Sequence, residues 1–209
     1  MPRSANPVNQ NLNNDQIGSR ERGRYHHGDL RSALIEAGER LLAERGVDGF
    51  SLREVARRAG VSPGAPAHHF GDARGLLTAI ATRAFEALAA RLADASRAAA
   101  PDRLEQVRAQ GEAYVGFALH HPAGFDLMWR RALLDPADPA LCAASRSAFE
   151  VLRCAVDGQA DGGCERQPPS PAVYAAWSMV HGFARLALDG PIDASRPGLL
   201  DGVLRTMRL

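Results

Sequence analysis

The chain has 209 residues, 45% of them hydrophobic, with 25 basic and 24 acidic side chains and a net charge of +1. That apolar content suffices for one large domain, or for a small domain joined to a larger one. The near-zero balance excludes a generic basic tail for nucleic acid, and no apolar run approaches the roughly 20 residues that a membrane span requires.

Residues 1–19 are rich in Asn, Gln, Ser and Pro and are expected to be disordered. They lack the basic-then-apolar order of a signal peptide, so the expected location is the cytoplasm. From residue 20 the chain turns basic: Arg20, Arg22 and Arg24 precede Tyr25. This stretch reads either as a solvated lead-in or as an arm that touches the DNA backbone. Asp29 is a good N-cap for a first helix, in which Leu30, Leu34, Ala37 and Leu41 recur at helical spacing until Gly46 stops it. The second helix opens at Ser51. Ser51 and Glu54 have the spacing of a capping box, and Phe50 can staple onto Val55. Leu52, Val55, Ala56 and Ala59 form its apolar stripe. Gly60-Val61 then makes a tight corner, since glycine tolerates the positive φ required there. Ser62 is expected to cap a third helix with Pro63 at its first position, and Phe70 with Gly71-Asp72 ends it.

The remainder reads as helices. Asp72 caps a long one to about Ala98, with Leu77, Ile80, Ala84 and Leu88 on one face. Pro101 starts the next, which ends at His120; Pro122 begins a shorter segment, and another runs from Pro139 to about Val156. The Gly- and Pro-rich stretch from Gly158 to Pro171 is a loop. Helices over Ala172–Asp189 and Pro197–Met207 close the chain, the last with Leu199, Leu200, Val203, Leu204 and Met207 as a broad apolar stripe. No run alternates with a strand period, so the class is all-α. Cys142 and Cys154 are expected as buried thiols. Cys164 lies in the polar loop, and the three together suggest neither a disulfide framework nor a zinc site.

A helix, a short glycine turn and a second helix is how a protein presents one helix end to the major groove. On spacing alone, the same pattern also fits an ordinary corner of an all-α core. The second helix of such a pair must be free of bulk on its outer face, and Pro63, Gly64 and Ala65 meet that need. Backbone N–H groups behind Ser51 and Ser62 can bind phosphate. Arg53 sits in the first turn of the supporting helix, while His68 and His69 are the polar groups of the reading helix. Residues 20–70 carry nine arginines against seven acids, and residues 71–209 fifteen against sixteen, a mild asymmetry in the direction DNA binding requires.

Residues 27 to about 80 resemble the DNA-binding domain of TetR/AcrR-type regulators. The resemblance is carried by the apolar first helix, Gly46, Phe50-Ser51, "VARRAGVS" (Val55–Ser62), "HF" (His69-Phe70) and "LL" (Leu76-Leu77). "YAAWSMVHGFARLALDG" (Tyr174–Gly190) is similar to the Trp-His-Gly segment of one TetR subgroup. The resemblance implies a helix-turn-helix domain over 20–72, followed by a helical effector-binding and dimerisation domain over 73–209. It implies a ligand-responsive DNA-binding regulator, a repressor released from a palindromic operator by a small molecule. The partners implied are double-stranded DNA and a second copy of the chain, joined through the last two helices. Dimerisation would set the two reading helices about 34 Å apart. Where this family usually has Tyr and Lys touching phosphate, this chain has Ala67 and Ala73. Pro66 lacks an N–H and disfavours helical geometry at Ala65.

Candidate DNA contacts are therefore Arg24, Tyr25, Ser51, Arg53, Ser62, Pro63, Gly64, Ala65, His68 and His69. Candidate pocket residues are the large apolar side chains Phe85, Phe117, Phe125, Met128, Trp129 and Trp177, with His181; plain core packing is the alternative for each. Tyr174, Trp177, His181 and Arg185 share one helix face. No phosphate-binding loop, dinucleotide fingerprint, HExxH or GxSxG occurs, so neither an enzyme nor a cofactor is expected. His68 and Asp72 have metal-ligand spacing, but two ligands make an incomplete site.

Overall fold

In the computed structural model, residues 27–158 and 168–207 are described. Arg24, Tyr25, the rest of the basic arm and Cys164 lie outside them. The described residues form nine α-helices and one 3₁₀ turn, with no strand.

The first helix, α1 (His27–Arg45), begins two residues before the expected cap Asp29 and ends at Gly46, where φ is +66°. The Gly46 N–H closes the last turn on the carbonyl of Leu42 at 2.9 Å. Leu34, Ala37 and Leu41 of α1 are fully buried. Helix α2 (Leu52–Ala59) has Ser51 as its N-cap in an extended conformation, but the expected capping box does not form. The Ser51 hydroxyl caps nothing, because the Glu54 carboxylate is held by Arg57 (2.7 and 2.8 Å) and Arg58 (3.0 Å) instead. Charged donors outcompete a neutral backbone N–H for a carboxylate.

The corner is built as the glycine suggested. Gly60 adopts φ 70°, ψ 29°, and the N–H groups of Gly60 and Val61 return to the carbonyls of Arg57 and Ala56. The next helix starts later than expected. Ser62 to Ala65 is a turn, closed by Ala65 N–H on the Ser62 carbonyl at 3.0 Å, and α3 is only Ala65–Phe70. Its N-cap is Gly64, so Ser62 is not the cap and Pro63 is not its first residue. Pro66 stands in the opening turn, where a helix has no use for an N–H, and its ring is buried.

Asp72 caps α4 (Ala73–Ala98), accepting from the Gly75 N–H at 2.9 Å. This long helix is the spine: it packs on α1, α3, α5 (Arg103–His120), α6 (Pro122–Trp129) and α7 (Pro139–Asp157). A 3₁₀ turn at Arg131–Leu133 follows α6. Helix α8 (Pro171–Leu188) lies on α5 and α7, and α9 (Leu199–Leu204) lies on α5. The final helix is shorter than its apolar stripe suggested, because Gly198 turns left-handed (φ 73°) immediately before it. Its stripe is also divided: Leu204 and Met207 are buried within the chain, while Leu199, Leu200 and Val203 are half-buried.

One continuous apolar core runs from Leu34 and Val55 at one end to Val180 and Leu204 at the other. Because Leu76, Leu77 and Ile80 of α4 belong to it, the two halves share this helix rather than meeting at a linker. Gly38 of α1 permits the approach, since a Cβ there would stand 2.8 Å from Cδ1 of Ile80. The cysteine expectation is corrected: Cys142 is exposed and Cys154 half-buried, near opposite ends of α7 and off its buried stripe of Leu141, Ala144 and Ala148. Among the described residues no helix is long and apolar enough to cross a membrane.

Candidate functional sites: the helix-turn-helix and a buried cavity

The supporting helix α2 is fixed to α1 by charge. Arg58 reaches Glu44 of α1 at 2.7 Å as well as Glu54, and together Arg57 and Arg58 hold the Glu54 carboxyl down at about 2. Arg53 stays out of this network and is exposed. Ser51, Arg53, Ser62, Pro63, Gly64 and His68 all lie open to solvent, and Ala65 and His69 are half-buried. A Cβ at Gly64 would meet nothing within 4 Å, so the turn before α3 presents bare backbone outward. The sequence-derived contact residues within the described chain therefore fall along one stretch of α2, turn and α3.

The two histidines diverge. His68 is exposed, while His69 borders a polar cleft shared with Arg31 and Phe70. Arg31 stands over the Phe70 ring at 5.2 Å, a cation–π contact that holds the end of α3 against α1.

The second feature is an apolar cavity of about 290 Å³ bounded by α4, α5, α7 and α8 and open to solvent on one side. Phe85 and Leu88 of α4 face Tyr114 and Gln110 of α5, Ala148 and Phe149 of α7, and Trp177 of α8. Tyr174, 49% exposed, stands on its rim. Of the residues expected to form a pocket, Phe85 and Trp177 line this cavity. Phe117, Phe125, Met128, Trp129 and His181 do not. Phe117, Phe125 and Met128 are core side chains, and Phe117 borders a separate cleft beside His120 and His121. Trp129 and His181 stand one layer behind the wall: Trp129 packs on Phe85 and Trp177 at 5.7 Å, and on His181 at 4.8 Å.

His181 Nδ1 is 2.8 Å from the hydroxyl of Tyr114. Burial pushes the Tyr114 phenol well above its ordinary range, against a smaller opposing contribution from Trp177. Burial, and then the charge of Arg185, pull His181 down from its usual value. Both groups are therefore uncharged at neutral pH, as an apolar wall requires. Arg185 is held off by Asp126 (3.2 Å) and Asp189 (2.9 Å).

Sequence reasoning had no signal for Gln110, Tyr114, Leu88 or Phe149 as cavity residues, because each reads as one more member of an amphipathic helix. The cavity and the reading head are joined through α4. Its first turns are also tied to the segment after α6: Thr78 Oγ1 donates to the Arg74 carbonyl at 2.8 Å and accepts the Asp135 N–H at 2.9 Å.

Two family models match the chain: the bacterial regulatory proteins of the tetR family over residues 34–80, and the tetracyclin repressor-like C-terminal domain over residues 107–207. A solved protein of unknown function from Rhodococcus sp. RHA1 is 33% identical, covers 87% of this chain and 93% of its own, and superposes with a TM-score of 0.71. The TetR family regulator PfmR from Thermus thermophilus is 25% identical over 84% of this chain and 99% of its own, with a TM-score of 0.61. The HTH-type transcriptional activator FasR of Mycolicibacterium smegmatis is 27% identical over 66% of this chain; the alignment spans 62% of FasR. With its helix-turn-helix, its all-helical second half and these two models, the chain belongs to the tetR family of DNA-binding transcriptional regulators.

Proposed function

We propose that this regulator is a cytoplasmic homodimer that represses from a palindromic operator and is released when a small molecule fills the cavity. One observation carries the reading. Helix α4 caps at Asp72, two residues after the end of α3, and thirteen residues later contributes Phe85 to the cavity wall. Any ligand that shifts α4 at Phe85 and Leu88 moves the element from which α3 hangs.

On DNA, Ser62, Pro63, Gly64 and Ala65 would approach the groove, with His68 facing bases and Ser51 and Arg53 on phosphate. His69, half-buried at the cleft beside α1, would contribute least, and Arg24 and Tyr25 would extend the contact through the basic arm. The dimer face would be supplied by α8 and α9: Ala175, Ser178 and Leu186 are exposed along α8, and the small side chains of Ala175 and Ser178 would allow a close helix–helix approach. Such a pair of subunits reads two half-sites about 34 Å apart.

Footprinting on the DNA upstream of the gene, repeated with candidate metabolites, tests this. Expected are two protected half-sites related by a dyad, and loss of protection with the right metabolite. A single unpaired footprint defeats the dimer reading. A reporter that falls rather than rises when the gene is deleted defeats repression.

A further inference from the structure

Resting on the reading of the cavity as the effector site, we infer its ligand class. The cavity is built for an uncharged, mainly apolar molecule carrying one hydrogen-bond donor, a hydroxyl or N–H, which it gives to Oε1 of Gln110.

The lining sets the first two properties. No Arg, Asp, Glu or His belongs to the cavity wall, which is apolar apart from Gln110, Ser145, two tyrosines and the indole N–H of Trp177. A carboxylate would enter without a cation to meet it, and an ammonium without an anion; burying either unpaired is costly. A volume of about 290 Å³ sits at the lower end of the range for small-molecule pockets.

Gln110 sets the third property. It lies in the middle of α5 and is 1% exposed. Its Nε2 donates to the carbonyl of Val151 on α7 through a long bond of 3.4 Å. That carbonyl fixes the amide's orientation, because the flipped amide would set two oxygens against each other. The other branch, Oε1, is left buried with no hydrogen-bond partner. Buried acceptors are seldom left unsatisfied, and the exceptions call for a reason.

Tyr174 stands on the solvent-exposed rim, and two other polar groups of the wall are occupied. The Tyr114 hydroxyl is engaged by His181 Nδ1 at 2.8 Å, and the Ser145 hydroxyl donates to the Cys142 carbonyl at 3.2 Å. Among the described residues, the side chains lining this cavity leave one buried atom without a partner, Oε1 of Gln110, a residue that also borders the cleft between α4, α5 and α7. As an acceptor it selects alcohols, phenols and amides, and gives nothing to ethers, ketones or esters.

Four matched probes on the full chain test this by calorimetry at neutral pH: 2-naphthol, 2-methoxynaphthalene, 2-naphthoate and 2-(aminomethyl)naphthalene. The wild-type protein should bind 2-naphthol at least about tenfold tighter than the methyl ether, and the two charged probes more weakly than either. Gln110→Met, of similar size without the acceptor, should bring 2-naphthol down to the level of the ether while leaving the ether within about threefold. The wild-type comparison stands even if that variant folds poorly. Equal affinity for naphthol and ether, tighter binding of a charged probe, a preference that survives in Gln110→Met, or no binding of any probe each overturns the inference. Operator affinity is measured separately with 2-naphthol present. Gln110-dependent binding with unchanged operator affinity upholds the contact and defeats the effector reading instead.

Discussion

Arg74, in the first turn of α4, donates from both Nε and Nη2 to the carbonyl of Leu134, at 2.9 and 2.6 Å. Arg74 follows the reading helix by four positions, and Leu134 closes the 3₁₀ turn after α6. Because α6 carries Trp129, which packs on Phe85 and Trp177, this clamp gives the cavity a second route to the start of α4.

Arg74→Met keeps the aliphatic stem and removes both bonds. It should cost about 1–2 kcal/mol, since the donor is charged and its partner is neutral, and lower Tm by several degrees. Operator binding without ligand should persist, while the response of operator affinity to a cavity ligand should shrink several-fold. An undiminished response in fluorescence-anisotropy titrations would remove the clamp from the coupling route.

Gly75 is the second test. An alanine in place of a helical glycine normally gains about 1 kcal/mol. Here a Cβ would be driven onto the carbonyl oxygen of Phe70, which is backbone at the end of α3 and has nowhere to go. The clash should win: Gly75→Ala should lose about 3 kcal/mol and misplace α3, abolishing operator protection. Full helical circular dichroism with lost footprinting is the expected pair of results. Normal protection would show that the α3–α4 junction yields.

A gentler contest occurs at Gly111, where a Cβ would stand 2.7 Å from Leu204 and 3.2 Å from Val180. Leu204 is 1% exposed, so it cannot swing out. Gly111→Ala should therefore lower stability by about 1–2 kcal/mol, read as a smaller urea midpoint at unchanged slope. Sedimentation should also show weaker self-association, because α9 is pushed off α5. A raised midpoint would mean that α9 adjusts freely.

His181 predicts a pH dependence. Its folded pKa lies below the ordinary 6.5, first because of burial and then because of Arg185. The unfolded chain thus takes up the proton first, and stability from this group is complete above 6.5 and lost as the pH falls through the lowered folded value. His121 is shifted in the same direction, by burial, Arg91 and His120. His181→Gln should therefore flatten only part of the decline in urea midpoint between neutral and mildly acidic pH. If the decline were identical in the variant, His181 would not be its source.

The helices were legible where local chemistry decides. Asp72 caps α4 as its position suggested, and Gly60 makes the corner, because a carboxylate cap and a left-handed glycine act within a few residues. The start of α3 was misplaced because Ser62, although a good cap by type, gives its carbonyl to a turn instead. The capping box failed for a similar reason, since Arg57 and Arg58 reach Glu54 first. The cavity was the least legible part. Large aromatics stand out in a sequence, yet Phe117 and Phe125 are spent on filling the core. What marks the cavity is the unmatched acceptor on Gln110, and a single glutamine in a helix carries no sign of which face it will occupy.

Pro66 has one more consequence. With no N–H at that position, and with those of Ala65 and His68 returned to Ser62 and Gly64, the opening turn of α3 has few donors left for a phosphate oxygen. Ala67 and Ala73 add no side-chain donor. Counterion displacement by an operator complex would therefore fall to Arg53 and the basic arm rather than to α3, so the salt dependence of affinity should be carried by those arginines. Discrimination between sequences by α3 would then depend more on fit in the groove than on charge.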